Sequence, residues 1–302
     1  MDLWIPITLG AALMQCLRTA QQKRLKGQLS TNGANFARYV YGAPFAVAAF
    51  ALYMAAWGPA LPAPGLAFVV HCMVGGVAQI VATSFLILAF TMRNFAAGTT
   101  YSKTETVQTA LLATVFLAEP LTAGAWIAIV IGLAGVLVLS VPAAAGGWRT
   151  ALLGVTDKAA LFGLASGGLF GVSAIGIRGA SLSLGSEVDF LARSLMTLAA
   201  VTTLQTTLMI AYLAAAERGE ITRVLRAWRQ AAPVGVMSVI GSAGWFTAMT
   251  LQNVAYVRAL GQVELLFTVA VSRFGFREAP TRRELVGVAL VAGGVVALLL
   301  QR

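Results

Sequence analysis

The chain has 302 residues, of which 59% are hydrophobic and only 11% are charged, and its mean hydropathy is +0.83. A composition with so little polar surface excludes a water-soluble globule of this length and indicates a protein of the lipid bilayer. The net charge of +10 does not indicate a nucleic-acid partner, because the basic residues concentrate in alternate loops.

Ten apolar segments follow one another along the chain, divided by glycine and proline, and each is close to the ~20 residues that a helix needs to cross the hydrocarbon. The first segment lacks the basic start and the A-x-A cleavage site of a secretory signal, so we expect it to be kept as a transmembrane helix. The predicted spans are residues 3–22, 33–57, 66–90, 95–117, 120–140, 158–180, 187–214, 232–254, 257–275 and 281–300. The sequence therefore predicts an all-α integral membrane protein with ten transmembrane helices.

The loops between these spans differ in charge. Residues 58–65 carry none, Glu119 is a single charge between spans 4 and 5, and Arg258 is a single charge at the boundary of spans 8 and 9. The other set of loops contains Lys23, Arg24, Lys26, Arg93, Arg149, Lys158, Arg218, Arg223, Arg226, Arg229, Arg273, Arg277, Arg282 and Arg283. The positive-inside rule assigns this basic set to the cytoplasm, which places both termini outside a multi-pass protein of the cytoplasmic (inner) membrane.

The two halves of the chain repeat each other. Glu264 follows Glu105 by 264 − 105 = 159 residues, and the residues around them coincide at the same offset without a gap. The matched positions are Ala89, Thr91, Asn94, Ala96, Glu105, Thr109, Glu119 and Gly135 with Ala248, Thr250, Asn253, Ala255, Glu264, Thr268, Glu278 and Gly294. Five spans per half make the second copy enter the membrane from the opposite side. We therefore expect two inverted five-helix repeats, residues 1–142 and 158–302, joined by a loop at 143–157.

These repeated segments also carry a family resemblance. Residues 102–105, 119–122 and 132–138, with their counterparts 261–264, 278–280 and 287–296, resemble the ten-helix, EamA-type branch of the drug/metabolite transporter superfamily. The resemblance implies a secondary transporter or exporter with a central cavity lined mainly by spans 1, 3, 4, 6, 8 and 9. Well-known members of this branch have cytoplasmic termini, whereas the charge bias of this chain places its termini outside.

Two glutamates lie at membrane depth, where a carboxylate costs about 2.5–3.5 kcal/mol on insertion scales. In span 4, Tyr101 and Glu105 share one helical face, while Lys103 lies about 200° around the helix and points elsewhere. Span 9 repeats the arrangement around Glu264, with Gln262 in the position of the lysine. We predict all five as substrate-binding residues.

Three roles stay open for Glu105 and Glu264. They can attract a cationic group of a substrate or hold a proton. They can instead form structural ion pairs with Arg38 and Arg193, which are symmetry-related arginines inside spans 2 and 7. Such pairs can also act as gates that open and close during transport.

Three polar or amphipathic side chains lie near the middle of other spans: Gln15, Gln79 and Trp245. An amide that faces lipid leaves its donors unsatisfied, so we expect these groups to face the protein interior and predict them as substrate-binding residues. Interhelical hydrogen bonding stays open as an alternative for the two glutamines. For Trp245, helix packing and a cation–π surface both stay open.

The sequence carries no motif for metal, cofactor or nucleotide chemistry. His71 is the sole histidine, Cys16 and Cys72 lack ligand spacing, and no glycine-rich run ends in Gly-Lys-Ser/Thr. We therefore expect no cofactor and no ATP-driven pump. Asn94 and Asn253, at the starts of spans 4 and 9, are expected to cap their helices.

Together these features predict a secondary active transporter or exporter of a small organic metabolite, such as an amino acid or an amphipathic amine, that works by alternating access. Proton coupling stays open. A flippase for a lipid or lipid-linked substrate is the alternative, and a membrane-embedded enzyme is disfavoured because the histidine and the three aspartates are scattered. The expected partners are a small-molecule substrate, the bilayer and protons, without nucleic acid, and the protein is expected to be a monomer or homodimer.

Overall fold

The computed structural model describes residues 2–24, 28–57, 62–91, 101–140, 158–267, 269–270 and 282–301. Within these ranges the chain forms helices and no β-strand. The helices are α1 (Trp4–Arg24), α2 (Thr31–Val40), α3 (Ala43–Trp57), α4 (Leu66–Thr91), α5 (Glu105–Phe116), α6 (Ala123–Ser140), α7 (Lys158–Leu182), α8 (Phe190–Ala216), α9 (Glu220–Arg226), α10 (Trp228–Leu251), α11 (Val254–Gly261) and α12 (Arg282–Leu299).

Several of these helices are suited to a bilayer. Among the described residues, five stretches are long and apolar enough to cross a membrane, namely Thr31–Trp57, Leu66–Ala89, Ala160–Leu182, Phe190–Ala216 and Trp228–Leu251. Two shorter apolar helices cover Ala123–Leu139 and Leu285–Leu299. The prediction of an all-α, multi-pass membrane protein is thereby confirmed, while the count of ten spans stays a prediction.

The second predicted span, residues 33–57, consists of two helices. The helical hydrogen bonds are interrupted after Tyr41, and Gly42 N–H donates to the carbonyl of Tyr39 at 3.1 Å instead. Pro44 explains the break, because proline has no N–H to donate to the carbonyl four residues earlier. A continuous apolar pattern therefore contains a helix boundary between α2 and α3.

The boundary between predicted spans 8 and 9 also differs from the structure. The sequence predicts span 8 up to residue 254 and span 9 from 257, whereas α10 ends at Leu251 and α11 already begins at Val254. Asn253 sets this start, because its Oδ1 accepts a hydrogen bond from the N–H of Ala255 at 2.7 Å. The expected capping role of Asn253 is thus observed, and Asn94 lies outside the described residues.

The helices form two compact units. Unit 1 comprises Met1–Ile80 and Ser173–Gln252, and unit 2 comprises Val81–Val172 and Asn253–Arg302. Helices α4 and α7 contribute residues to both units, and each unit combines helices from both predicted repeats. The loop predicted at 143–157 lies outside the described residues, and the division into two inverted repeats stays a prediction.

Unit 1 is packed through small residues. A Cβ atom built on Gly176 of α7 would lie 2.7 Å from the Cα atom of Gly75 in α4, so only glycine permits this crossing. Gly244 of α10 similarly faces Ala11 of α1, where an added Cβ would lie 2.9 Å from the alanine Cβ. Close contacts of this kind are the usual means of helix association in lipid, where apolar burial does not drive it.

In unit 2, α6 and α12 also pack closely through glycines. A Cβ atom on Gly294 would lie 2.7 Å from the backbone nitrogen of Gly132, and one on Gly135 would lie 2.6 Å from the backbone nitrogen of Val291. These two helices therefore pack backbone against backbone. Helices α5 and α11 complete an apolar cluster with them that includes Ala110, Ala128, Ile129, Ala255, Ala259 and Leu298.

Candidate functional site: polar groups within each unit

An ion pair joins α5 and α11 inside unit 2. The Glu105 carboxylate lies 3.0 Å from the guanidinium of Arg258, and the two side chains are 23% and 13% exposed. Glu105 occupies the first turn of α5 and Arg258 the last turn of α11. Each charge is therefore at the helix end whose dipole favours it.

The partner of Glu105 differs from the sequence-based expectation. A structural pair with Arg38 is one of the roles that the sequence leaves open for Glu105, whereas the ion pair observed in unit 2 is with Arg258. The sequence places Arg258 at the boundary of spans 8 and 9, because the apolar pattern of span 8 continues to residue 254, past the end of α10 at Leu251. Since α11 begins at Val254, Arg258 lies within a helix and faces α5.

Gln262 reinforces the contact between the same two helices. Its Nε2 donates a hydrogen bond to Thr106 Oγ1 at 3.0 Å, and the side chain is 9% exposed. A Cβ atom on Gly132 would lie 2.5 Å from Gln262 Oε1, so this glycine leaves room for the amide. Gln262 therefore holds α11 to α5, and its predicted role in substrate binding stays a prediction.

The other predicted residues of spans 4 and 9 lie at helix ends. Tyr101 and Lys103 precede α5, so the spacing rule of a continuous helix applies only from Glu105 onward. Both are partly exposed, and Lys103 makes no ion pair within the described part of the chain. Glu264 is partly buried in the helical turn 264–267, just after α11.

Gln108, one turn after Glu105, serves as a helix contact. Its Nε2 donates hydrogen bonds to Thr104 Oγ1 at 2.7 Å and to the carbonyl of Leu164 in α7 at 3.3 Å. A Cβ atom on Gly168 would lie 2.6 Å from Gln108 Oε1, so α7 approaches α5 closely here. The packing of Gln108 against α7 holds the helix that carries Glu105.

In unit 1, the predicted amides make hydrogen bonds between helices. Trp245 Nε1 in α10 donates to Gln15 Oε1 in α1 at 3.0 Å. Gln205 Nε2 in α8 donates to Gln79 Oε1 at 2.8 Å and to the carbonyl of Gly76 at 3.1 Å, both in α4. Gln205 was not among the predicted residues, although an amide in the middle of an apolar span is a signal that the sequence carries.

Arg38 connects α2 to α10. Its Nε donates to Ser238 Oγ at 3.2 Å, its guanidinium lies 5.3 Å from the ring centroid of Tyr39, and the side chain is 7% exposed. The arginine is in the last turn of α2, where the helix dipole favours a cation. The contacts of Arg38 therefore support the junction of two helices of unit 1.

Two further arginines lie near one end of unit 1. Arg178, which was not among the predicted residues, donates to the carbonyl of Met249 and, at 2.6 Å, to that of Gln252, so it closes the last turn of α10. Arg193 lies within electrostatic range of Arg178 and Asp189. Its buried Nε has no hydrogen-bond partner among the described residues.

Asp189 caps the helix that carries Arg193. Its carboxylate accepts hydrogen bonds from the N–H groups of Leu191 and Ala192 at 2.9 and 3.2 Å, and from Tyr53 Oη at 2.7 Å. Burial alone would raise the pKa of Asp189, but these hydrogen bonds together outweigh it, and the pKa lies below its ordinary value of 3.8. Asp189 is therefore ionised at neutral pH.

The described residues contain no group of three or more histidine, cysteine or acidic side chains that could hold a metal ion. His71 packs over Gly179, and its Nδ1 lies 2.7 Å from the carbonyl of Ala67. Cys16 and Cys72 are buried free thiols. These three residues belong to helix packing within unit 1.

Residues 2–141 match the EamA-like transporter family, which confirms the resemblance to the drug/metabolite transporter superfamily. A solved crystal structure, described only as that of a protein, superposes with a TM-score of 0.72 at 16% identity and covers 99% of this chain and 98% of its own. That likeness establishes a shared fold. No match was found among the curated proteins.

Proposed function

We propose, on the premise that residues 2–141 match the EamA-like transporter family, that this chain is a secondary active transporter of a small amino-acid-like metabolite. That match supports a membrane transporter of the drug/metabolite type. The proposal adds the substrate class and the mechanism, which is alternating access of two inverted repeats in the cytoplasmic membrane.

The ion pair between Glu105 and Arg258 is the observation that carries the substrate class. Both charges lie on helices of a membrane protein, and each retains some exposure. An amino acid brings an ammonium group for the glutamate and a carboxylate for the arginine, so a zwitterion can replace the internal partner of each without leaving a charge unpaired. A substrate with one charge can satisfy only one side of the pair.

The positions of the two residues support a role in transport. Ionisable groups within membrane segments are costly and commonly mark the path of a substrate or an ion. Glu105 and Arg258 are brought together by α5 and α11, which belong to the two predicted repeats. If a substrate takes the place of the internal partner of each charge, the contact between α5 and α11 is loosened. Alternating access requires helices of the two repeats to move relative to each other, so this loosening would favour it.

Counterflow into proteoliposomes tests this proposal. Vesicles preloaded with a pool of unlabelled amino acids should accumulate at least one labelled amino acid, and empty vesicles should not. Glu105→Gln should abolish the exchange, whereas Gly10→Ala, at a position where an added Cβ meets nothing within 4 Å, should retain it. Exchange at the wild-type rate in Glu105→Gln would contradict the role of the ion pair. An imposed pH gradient in the same assay decides whether protons are coupled to transport.

A further inference from the structure

Helix α9 and its flanks form a strongly basic surface, which we define as residues 218–229. The segment connects two helices that are long and apolar enough to cross a membrane, one ending at Ala216 and the other beginning at Trp228. A seven-residue helix between two such spans lies at the membrane surface, because the chain reverses direction there. All four arginines of this segment are exposed: Arg218, Arg223, Arg226 and Arg229.

The inner face of α9 is fixed to the helices beneath it. Val224 and Glu220 are 0% and 3% exposed. The Glu220 carboxylate accepts a hydrogen bond from the backbone N–H of Ser30 at 2.6 Å, and Tyr41 Oη donates to the carbonyl of Val224 at 3.0 Å. The arginines therefore lie on a helix whose backbone is already fixed by these contacts. Binding a ligand requires little further ordering of the backbone.

The acidic residue within the segment, Glu220, and the one just before it, Glu217, already have hydrogen-bond or ion-pair partners. Glu217 accepts hydrogen bonds from Ser30 Oγ and Asn32 Nδ2, both at 2.6 Å. Glu220 forms an ion pair with Arg223 at 3.1 Å. The remaining three arginines, Arg218, Arg226 and Arg229, make no ion pair with any described residue. The outward surface consequently carries a net positive charge.

Two large apolar side chains lie within the same surface. Leu225 is 50% exposed and Trp228 is 55% exposed. The guanidinium of Arg229 lies 5.6 Å from the ring centroid of Trp228. A tryptophan beside exposed arginines suits the interface of a bilayer, where the ring meets the glycerol and acyl region and the guanidinium groups meet phosphate.

We propose that residues 218–229 bind the headgroup of an anionic phospholipid as a retained ligand that is not transported. The arginines select negative charge, and Leu225 and Trp228 add apolar contact with the glycerol and acyl region of the lipid. This proposal is independent of the substrate of the transporter. It predicts a lipid preference even in a variant that no longer transports.

Native mass spectrometry of the full chain in detergent, titrated with phosphatidylglycerol or phosphatidylcholine, tests the site. The wild type should retain phosphatidylglycerol in preference to phosphatidylcholine. Arg226→Gln/Arg229→Gln should lower the affinity for phosphatidylglycerol about 25-fold, since each basic residue at a membrane surface contributes about fivefold, equivalent to ~1 kcal/mol. Both side chains are exposed, so an unchanged melting temperature should show that the variant is folded.

The matched control removes the same charge elsewhere. Lys158→Gln/Arg282→Gln replaces two exposed basic residues at the starts of α7 and α12 and should leave the affinity close to wild type. Equal losses in the two double variants would overturn the proposal, because net charge alone would then explain binding. Two other results would also overturn it: equal retention of the two lipids by the wild type, or binding of glycerol 3-phosphate as tightly as phosphatidylglycerol.

Discussion

Replacing Glu105 by glutamine removes one charge of the ion pair in unit 2 and leaves Arg258 in place. At a separation of 3.0 Å, the gross Coulomb attraction is about 5 kcal/mol for an effective dielectric constant of ~20. Desolvation offsets much of that attraction, but the remaining arginine still bears its own desolvation cost after the change. Because both side chains keep some contact with solvent, we expect Glu105→Gln to lower the free energy of unfolding by about 1–3 kcal/mol.

The companion variants identify the cause of this loss. Arg258→Gln should be destabilising to a similar degree, because it leaves the carboxylate unpaired. The double variant Glu105→Gln/Arg258→Gln should lose less than the sum of the two single losses, with a coupling free energy of about 0.5–3 kcal/mol. Burying two neutral side chains costs less free energy than burying one unpaired charge.

Unfolding by sodium dodecyl sulfate in mixed micelles, followed by far-ultraviolet circular dichroism, measures these free energies. The four proteins of the cycle should share one slope, so that differences in midpoint report stability. Additive losses in the double variant, with Glu105→Gln costing as much in the Arg258→Gln background as in the wild type, would refute the reasoning. Such additivity would mean that Glu105 and Arg258 contribute to stability independently of each other.

Three further predictions concern packing, hydrogen bonding and pH. Gly176→Ala places a Cβ 2.7 Å from backbone atoms of α4 and should cost about 1–3 kcal/mol; the same unfolding titration of Gly10→Ala, where the space is open, should show no loss. Trp245→Phe removes the donor to Gln15 and should cost about 0.6–1.7 kcal/mol, and no loss in that titration would contradict the role of the bond. Asp189 has a lowered pKa, so its contribution to stability is present above the ordinary value and is lost as pH falls through the folded value. Melting temperatures of Asp189→Asn should therefore fall less than those of the wild type between neutral and strongly acidic pH, and parallel curves would contradict this.

The class of fold could be predicted from the sequence alone. Long apolar segments predict membrane helices because backbone groups have to be satisfied within a helix in lipid, and this constraint acts locally. The Asn253 cap was likewise readable, since an asparagine accepts hydrogen bonds from N–H groups two or three residues ahead. The break before Pro44 had a local signal too, but hydropathy averaged over a long segment concealed it.

The pairing of charges could not be predicted from the sequence in the same way. Whether Glu105 meets Arg38 or Arg258 depends on which helices become neighbours, and no local pattern contains that information. The partners of Arg178 and Gln205 could not be predicted for the same reason, because they are carbonyls and amides on helices that are distant in sequence, although a polar group within an apolar span was itself a local signal. The repeat indicated which positions are equivalent, but Arg258 corresponds to Thr99, 258 − 159 = 99, so the ion pair has no symmetric copy to reveal it.

The claim that the substrate presents both an ammonium and a carboxylate group is tested most directly by counterflow with analogues that each lack one charge. Wild-type protein in proteoliposomes is given an accepted amino acid, its amide, which lacks the carboxylate, and its N-acetyl derivative, which lacks the ammonium group. The parent compound should exchange, and neither analogue should, because each leaves Glu105 or Arg258 without a partner. Exchange of both analogues at the rate of the parent would contradict the account.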